Sequence, residues 1–273
     1  MQTALIIGAK GSLGRELQDL LIGKFDIYID DKDTLDITNG KVVFKRIKEV
    51  EPDVVFNCAA INDIDKAEQN VDETMQINGY AVENIAKACE NFGAVLVQFS
   101  TGCVFNGETK EPYTEDSDKF PQNIYGKSKA LGEDFALNYC SKTYIIRTSW
   151  TYGAYGYNFI KALLEKAKQG RDIKVMSKCK GTPTWIRDIG NQIRIMLEER
   201  YPYGVYHVVN EGMTDFYDLA QKIFELKELR AKLVPIEGEE VLEHSLPYNP
   251  LINTKIGPLR TWEEALSEYL RVF

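Results

Sequence analysis

The chain has 273 residues, of which 44% are hydrophobic and 27% charged, as expected for a globular protein with a large core. Its net charge of −8 argues against an extended nucleic-acid surface, and no apolar run is long enough to cross a bilayer. Five widely spaced cysteines without a CxxC pair favour a reducing cytoplasm over a disulfide framework or a zinc site. We therefore expect a cytoplasmic protein that binds neither nucleic acid nor membrane.

The first half of the chain alternates short apolar runs with amphipathic helices. Strands are predicted at TALIIG, FDIYID, DVVFNCAA, AVLVQFS and TYIIRTSW. Helices are predicted after the first strand, at VVFKRIKEV, at about 71–92 and around Tyr125. This order indicates an α/β protein with right-handed crossovers and a doubly wound, Rossmann-like parallel sheet. We place a dinucleotide-binding domain at residues 1–150.

The second half of the chain has a looser pattern. Helices are predicted at 158–169, 185–199, 215–228 and 261–272, with short strands at DIKVM, GVYHVVN and KLVPI. No flexible linker separates this half from the first. We expect residues 151–273 to form mainly a smaller, mixed substrate-binding lobe, interleaved with the first domain and unable to fold independently.

Three glycines stand in the turn between the first strand and the first helix, namely Gly8, Gly11 and Gly14. This spacing permits a tight turn and lets backbone amides approach a pyrophosphate at the helix N-terminus. Asp30 ends the second strand, where a carboxylate can bind an adenosine ribose and favours NAD. Lys10 and Lys32 could instead meet a 2′-phosphate, so the sequence leaves the choice between NAD and NADP open.

Tyr125 and Lys129 stand four residues apart near the start of a helix and therefore share one face of it. By itself this spacing also fits a first turn exposed to solvent. Several polar or aromatic residues end predicted strands, namely Asp30, Asn57, Ser100, Thr101, Ser149 and Trp150. Because ligands of open parallel sheets bind at the carboxyl ends of the strands, we expect these residues to converge on one site.

Taken together, these motifs resemble the dTDP-4-dehydrorhamnose reductase family of nucleotide-sugar 4-reductases, which are extended short-chain dehydrogenase/reductases. GxxGxxG, NCAA, ST and YxxxK occur in that order along the chain. The segments LDIT, DKAE, VFNG, YGKSKALGE, RTSWTYG and GTPT also look like segments of this family. The likeness covers nearly the whole chain and is weakest after about residue 230.

The resemblance implies a role for each matching residue. Thr101 would donate a hydrogen bond to the substrate oxygen, Tyr125 would donate the proton, and Lys129 would tune the phenol and hold the nicotinamide ribose. The implied cofactor-binding residues are Gly8, Lys10, Gly11, Ser12, Leu13, Gly14, Asp30, Asp36, Ile37, Asn57, Ala59, Ala60, Ser100, Tyr125 and Lys129. The implied substrate-binding residues are Gly102, Cys103, Val104, Trp150 and Thr184.

Two segments depart from the family pattern. STGCVF has Gly102 and Cys103 where the family usually has aspartate and tyrosine, which points to a different hexose. It also argues against a dehydratase, which needs acidic residues after the threonine. Leu246 stands where the family has a substrate-holding arginine. Arg147 and Arg187 could supply positive charge for the phosphates, or each could pair with a carboxylate.

The leading hypothesis is an NAD(P)H-dependent reductase acting on the C4 ketone of a nucleotide-linked 4-keto-6-deoxyhexose, in surface polysaccharide or deoxysugar synthesis. One alternative is a non-catalytic nucleotide-binding subunit resembling the regulatory partner of methionine adenosyltransferase, and another is a nucleotide-sugar epimerase. The intact Thr101, Tyr125 and Lys129 favour the enzyme. A nucleotide sugar is the expected partner, a homodimer is left open, and no metal is expected.

Overall fold

A computed structural model gives the structure of residues 1–237 and 248–273. Leu246, which the sequence marks as a departure from the family, lies outside these described residues. The strands are β1 (Gln2–Ile7), β2 (Phe25–Asp30), β3 (Val54–Asn57), β4 (Val95–Thr101), β5 (Thr143–Thr148), β6 (Thr151–Tyr152), β7 (Ile173–Met176), β8 (Lys180–Gly181), β9 (Thr184–Trp185), β10 (Gly204–His207), β11 (Thr214–Asp215) and β12 (Leu233–Ile236). The α-helices are α1 (Ser12–Leu21), α2 (Gly40–Val50), α3 (Ile64–Gln69), α4 (Val71–Met75), α5 (Ala81–Phe92), α6 (Ile124–Tyr139), α7 (Phe159–Ala167), α8 (Ile186–Glu198), α9 (Phe216–Leu226) and α10 (Trp262–Val272).

Six parallel strands form the central sheet, in the order β10-β5-β4-β3-β1-β2. Apolar side chains of α1 and α8 pack on one face of this sheet, and those of α2 and α5 pack on the other. Because both faces are covered, most residues of β1 and β3 are apolar and buried. The predicted α/β fold with a doubly wound parallel sheet is confirmed.

The strand order changes direction beside β1, which lies between β2 and β3. At such a switch point the loops leaving neighbouring strands separate and form a crevice at the carboxyl ends. The loops after β1, β3, β4 and β5 all open at this edge of the sheet, because these strands are parallel. This edge is therefore where the fold places a ligand site.

A smaller mixed lobe is built from the second half of the chain. It contains the parallel pairs β7–β12 and β6–β9 and the antiparallel pair β8–β11. Its core includes Trp185, Leu219, Ile223, Trp262 and Tyr269. β10 and α8 come from the same half but belong to the large sheet and its helical cover. The division of function at residue 150 stays a prediction.

The helix predicted at 71–92 is present, but it is not α-helical throughout. Between α4 and α5 the chain forms one π-helical turn at Gln76–Tyr80. In this wider turn the Asn78 carboxamide bonds to both backbone groups of Ile61 and to Ser128 Oγ. The turn thus ties the loop after β3 to α6, which a regular helical period does not predict. The other predicted helices and strands begin and end within a few residues of their expected positions.

Candidate active site

A cavity of about 590 Å³ lies at the carboxyl ends of the central strands, within the size range of small-molecule sites. It is lined by twelve of the residues that the sequence nominates, namely Gly11, Ser12, Leu13, Asn57, Ala60, Ser100, Thr101, Cys103, Tyr125, Lys129, Ser149 and Trp150. Five of the six strand-end residues expected to converge line this cavity, and the sixth, Asp30, does not. Ile64, Met176, Cys179 and Phe216 also line the cavity and were not predicted.

In the glycine-rich turn after β1, two of the three glycines are required by close backbone packing and the third is not. Gly8 has a φ of +78°, and a Cβ there would lie 2.6 Å from the Ala59 backbone nitrogen. A Cβ at Gly14 would lie 2.5 Å from the Gly8 carbonyl oxygen, so the fold itself requires both glycines. Gly11 has an ordinary φ of −69°, and its Cβ would meet only the Gly8 oxygen, at 3.3 Å.

Gly11 is also the N-cap of α1 and, as a glycine, has no side chain with which to cap the helix. The amides of its first turn, including those of Ser12 and Leu13, therefore remain for a ligand, and both residues line the cavity. A side chain at Gly11 would occupy the space through which an anion reaches them. The turn therefore fits a dinucleotide pyrophosphate.

Asp30, the predicted ribose acceptor, is already paired within the chain. Arg46 on α2 donates from Nε to Asp30 Oδ2 at 2.6 Å, with the carboxylate buried and the guanidinium partly exposed. Lys10 pairs with Asp33 at 2.5 Å on the surface. Sequence reasoning missed Arg46, because nothing in the pattern of α2 distinguishes it from the other cations there. The choice between NAD and NADP stays open.

The start of α6 is fixed by two polar side chains from different parts of the chain. Asn123 accepts from the Gly126 amide at 2.7 Å, and Glu68 accepts from the Ile124 amide at 2.7 Å. A Cβ at Gly126 would lie 2.1 Å from the Cys103 carbonyl oxygen, so α6 packs closely against the turn after β4. This packing brings Tyr125 and its helix face to the cavity.

The pKa values of Tyr125 and Lys129 are shifted in opposite directions. Burial raises the pKa of the Tyr125 phenol above its usual value, and the neighbouring Cys103 adds to this, whereas a hydrogen bond with Thr101 lowers it. Burial lowers the pKa of Lys129 to about 8, against the opposing effects of Glu133 and Cys58. At neutral pH the phenol therefore keeps its proton and the amine keeps its positive charge.

A buried ion pair between Glu133 and Arg147 lies next to Lys129. Glu133 lies one turn after Lys129 on α6 and accepts two hydrogen bonds of 2.8 Å from Arg147. The Ser100 hydroxyl donates to the same carboxylate at 2.5 Å. Arg187 pairs with Glu16 at 3.2 Å. Both arginines therefore act as partners of carboxylates, which is one of the two roles that the sequence left open.

Cys103 lies between the predicted catalytic residues and a segment from the C-terminal part of the chain. Its backbone amide donates to Thr101 Oγ1 at 3.1 Å, and its thiol, whose pKa is raised by burial, lies 4.0 Å from Asn249 Nδ2. Asn249 lines the cavity. Sequence reasoning missed it, and the only signal was its place three residues after Leu246 in the segment LPYNPLINTK.

Trp150 forms a rigid wall of the cavity. Its ring stacks on Phe216 with centroids 3.8 Å apart and an interplanar angle of 11°. A Cβ at Gly181 would lie 2.3 Å from the indole Cε2, so the glycine allows close contact. Trp150 adopts a φ of +41°, which is rare for a residue with a bulky side chain. The packing overrides this backbone preference and fixes the indole.

The other nominated residues do not line the cavity, and their roles stay predictions. They are Gly8, Lys10, Gly14, Asp30, Asp36, Ile37, Ala59, Gly102, Val104 and Thr184. Thr184 is fully buried and donates to the Thr182 carbonyl at 3.0 Å. Val104 belongs to a hydrophobic cluster. Asp36 accepts from the amide and hydroxyl of Thr38.

Residues 1–237 and 248–273 contain no group of three or more histidine, cysteine, aspartate or glutamate side chains placed to hold a metal ion. No helix in the same ranges is long and apolar enough to span a membrane.

The parallel sheet, the glycine-rich turn and the tyrosine–lysine pair on α6 define the class of extended short-chain dehydrogenase/reductases. The family model for the RmlD substrate binding domain matches residues 1–273, and the chain belongs to this family. The resemblance inferred from the sequence is thus confirmed.

Three similar proteins illustrate this relationship. The spore coat polysaccharide biosynthesis protein SpsK of Bacillus subtilis (strain 168) is 33% identical, over 99% of this chain and 98% of that protein. The structure of a dTDP-4-dehydrorhamnose reductase of Clostridium acetobutylicum is 38% identical, covers 99% of both chains and superposes with a TM-score of 0.95. The dTDP-4-dehydrorhamnose reductase of Bacillus anthracis, solved in complex with NADP, is 34% identical, covers 100% of this chain and 99% of the other, and gives a TM-score of 0.96.

Proposed function

We propose that this chain is a reductase that transfers a hydride from NADPH or NADH to the C4 ketone of a nucleotide-linked 4-keto-6-deoxyhexose. The observation that carries the proposal is that Thr101, Tyr125 and Lys129 line one cavity beside the glycine-rich turn. Two of the similar structures are named dTDP-4-dehydrorhamnose reductases, which supports a dTDP-linked substrate. The name of the Bacillus subtilis relative supports a place in polysaccharide synthesis. The widely spaced cysteines without a CxxC pair support a cytoplasmic location.

Reduction of a ketone requires a hydride at carbon and a proton at oxygen. The nicotinamide supplies the hydride when it is bound. Thr101 Oγ1 accepts from the Cys103 amide, and its hydroxyl, which also bonds to Tyr125, would donate its proton to the ketone oxygen once the substrate is bound. Tyr125 donates the proton that completes the hydroxyl, and Lys129 stabilises the phenolate that remains. The three side chains thus orient the ketone and protonate it on one face.

The residues around the cavity divide between the two ligands. The first-turn amides of α1 would hold the pyrophosphate, and Lys129 would also reach the nicotinamide ribose. Trp150 would lie against the sugar, opposite the polar residues of β4. Cys103 contributes no charge, because burial keeps its thiol protonated. This argues against the acid–base step that a dehydratase needs at that position.

The test is a direct assay with a panel of nucleotide-linked 4-keto-6-deoxysugars, beginning with dTDP-4-dehydrorhamnose. Oxidation of NADPH and of NADH is followed by absorbance, and cofactor binding is measured separately by calorimetry. We expect at least one sugar to be reduced, and Tyr125→Phe to be strongly impaired under the same conditions. Cofactor binding without oxidation by any sugar would instead support the non-catalytic regulatory subunit. The homodimer stays a prediction.

A further inference from the structure

Asn249 presents a buried hydrogen-bond acceptor that the fold leaves unused. The residue is 7% exposed and lines the cavity, and its Oδ1 has no hydrogen-bond partner within residues 1–237 and 248–273. Buried acceptors are rarely left unpaired, because the lost hydration is not replaced. An unpaired acceptor at the wall of a ligand site is best explained by a donor on the ligand.

The backbone around Asn249 is held firmly on both sides. The Asn249 amide donates to the Lys180 carbonyl at 3.0 Å. The neighbouring residues exchange two hydrogen bonds with Tyr113, from its amide to Pro250 at 2.9 Å and from the Ile252 amide to its carbonyl at 3.0 Å. The Asn249 side chain is therefore presented by a segment that backbone hydrogen bonds hold on both sides, which makes its position suitable for selecting one ligand group.

The carboxamide lies next to the groups that would hold the ketone. Asn249 Nδ2 is 4.0 Å from Cys103 Sγ, and the amide of Cys103 bonds to Thr101 Oγ1. A Cβ at Gly102 would lie 3.2 Å from the Asn249 carbonyl oxygen, so glycine at that position permits the approach. A sugar whose ketone oxygen lies between Thr101 and Tyr125 therefore places a neighbouring ring carbon near Asn249.

We propose that Asn249 is a specificity-determining residue whose Oδ1 accepts a hydrogen bond from the sugar hydroxyl on the carbon next to the ketone. The inference rests on the proposed function, because it takes the ketone to be bound by Thr101 and Tyr125. In a 4-keto-6-deoxyhexose, one neighbour of the ketone is C3, which carries a hydroxyl, and the other is C5, which carries the methyl group. Only the C3 hydroxyl can donate to Asn249.

The experiment compares two substrates that differ only at C3. The kcat/KM is measured for a dTDP-linked 4-keto-6-deoxyhexose and for its 3-deoxy analogue, with the wild-type protein and with Asn249→Ala. Asn249→Leu, similar in size to asparagine but without polar atoms, serves if the alanine variant does not fold. Asn253→Ala is the matched control from the same segment, because both polar atoms of Asn253 bond to the Val209 backbone, at 3.1 and 2.9 Å.

We expect the wild type to prefer the hydroxylated sugar on the order of tenfold to a hundredfold, since the analogue leaves the acceptor unpaired. Asn249→Ala should reduce this ratio to below about threefold, whereas Asn253→Ala should keep the wild-type ratio even if its stability falls. An unchanged ratio in an active Asn249 variant would overturn the inference and leave the proposed function intact. A wild type that reduces neither this sugar nor any other 4-keto sugar would contradict the proposed function itself.

Discussion

The Tyr125 hydroxyl is the proposed proton donor in the cavity, and its removal tests the chemistry directly. Tyr125→Phe keeps the ring and its packing but removes the proton. Positioned general acids contribute about 10²–10⁴-fold, so kcat should fall by that range. The dissociation constant of the cofactor should change little, because Lys129 still reaches the ribose. Steady-state kinetics and a calorimetric titration give both values, and near wild-type turnover would place the proton donor elsewhere.

Lys129 should make kcat/KM fall as the pH rises. Burial lowers its pKa to about 8, so its positive charge is lost as the pH rises through that value. The pKa of Tyr125 is raised, so the phenol itself does not titrate in this range. We therefore expect kcat/KM of the free enzyme to fall above about pH 8. Lys129→Met should lower the rate and abolish this alkaline limb, and a limb that persists in the variant must come from another group.

Arg46 bears on the cofactor because it neutralises the buried Asp30 at the end of β2. In Arg46→Gln the carboxylate of Asp30 loses the cation that pairs with it. It would then repel a 2′-phosphate and be free to accept from a ribose 2′-hydroxyl. We expect the dissociation constant for NADPH to rise about tenfold or more while that for NADH changes less. Fluorescence titrations with both cofactors test this, with Lys45→Gln, an exposed cation on the same helix, as the control. Equal changes in both dissociation constants would show that Arg46 does not act on the 2′ position.

At the scale of elements, the glycines of the turn between β1 and α1 serve two different purposes. Gly8 and Gly14 are required by the packing of the fold, whereas Gly11 leaves room for the ligand. Gly11→Val introduces a branched side chain where the backbone has an ordinary φ and little lies nearby. The protein should fold, but the cofactor dissociation constant should rise tenfold or more, because the side chain blocks the α1 amides. Gly8→Ala and Gly14→Ala should instead lower the thermal unfolding midpoint. A folded Gly11→Val protein with unchanged cofactor affinity would remove the assignment of this turn to phosphate binding.

The elements were predictable because the signals that define them are local. Runs of β-branched residues, apolar helix faces and the glycine-rich turn all lie within a few residues of each other, and they predicted the central sheet and most helices. Arg46 and Asn249 were not predictable in this way. Asn249 reaches Cys103 across 146 positions of sequence, and its role depends on how a C-terminal segment crosses the cavity. The π-helical turn likewise depends on the contacts of Asn78 with another loop.

At the scale of the whole molecule, a buried acid and a buried histidine connect three distant parts of the chain. Glu115 accepts from the His207 amide on β10 at 3.2 Å and from the Thr254 amide at 3.1 Å. The His207 ring bonds through Nδ1 to the Ile252 carbonyl at 3.0 Å. The edge strand of the sheet is thereby fastened to the segment that carries Asn249. Protonation of either group therefore affects the sheet and the cavity wall together.

His207 should make the stability of the protein depend on pH in weakly acidic solution. Burial lowers its pKa from 6.5 to about 4, despite the opposing effect of Glu115. Between these values the unfolded chain binds a proton that the folded chain does not, so the free energy of unfolding falls as the pH falls. The pKa of Glu115 is lowered below 4.5, so its own stabilisation is lost only at lower pH. From pH 6.5 to 4.5 we expect a loss of about 2–3 kcal/mol, measured by denaturant unfolding. His207→Asn keeps a donor for Ile252 but cannot titrate, and should flatten this dependence; an equal slope in both proteins would assign the effect to other groups.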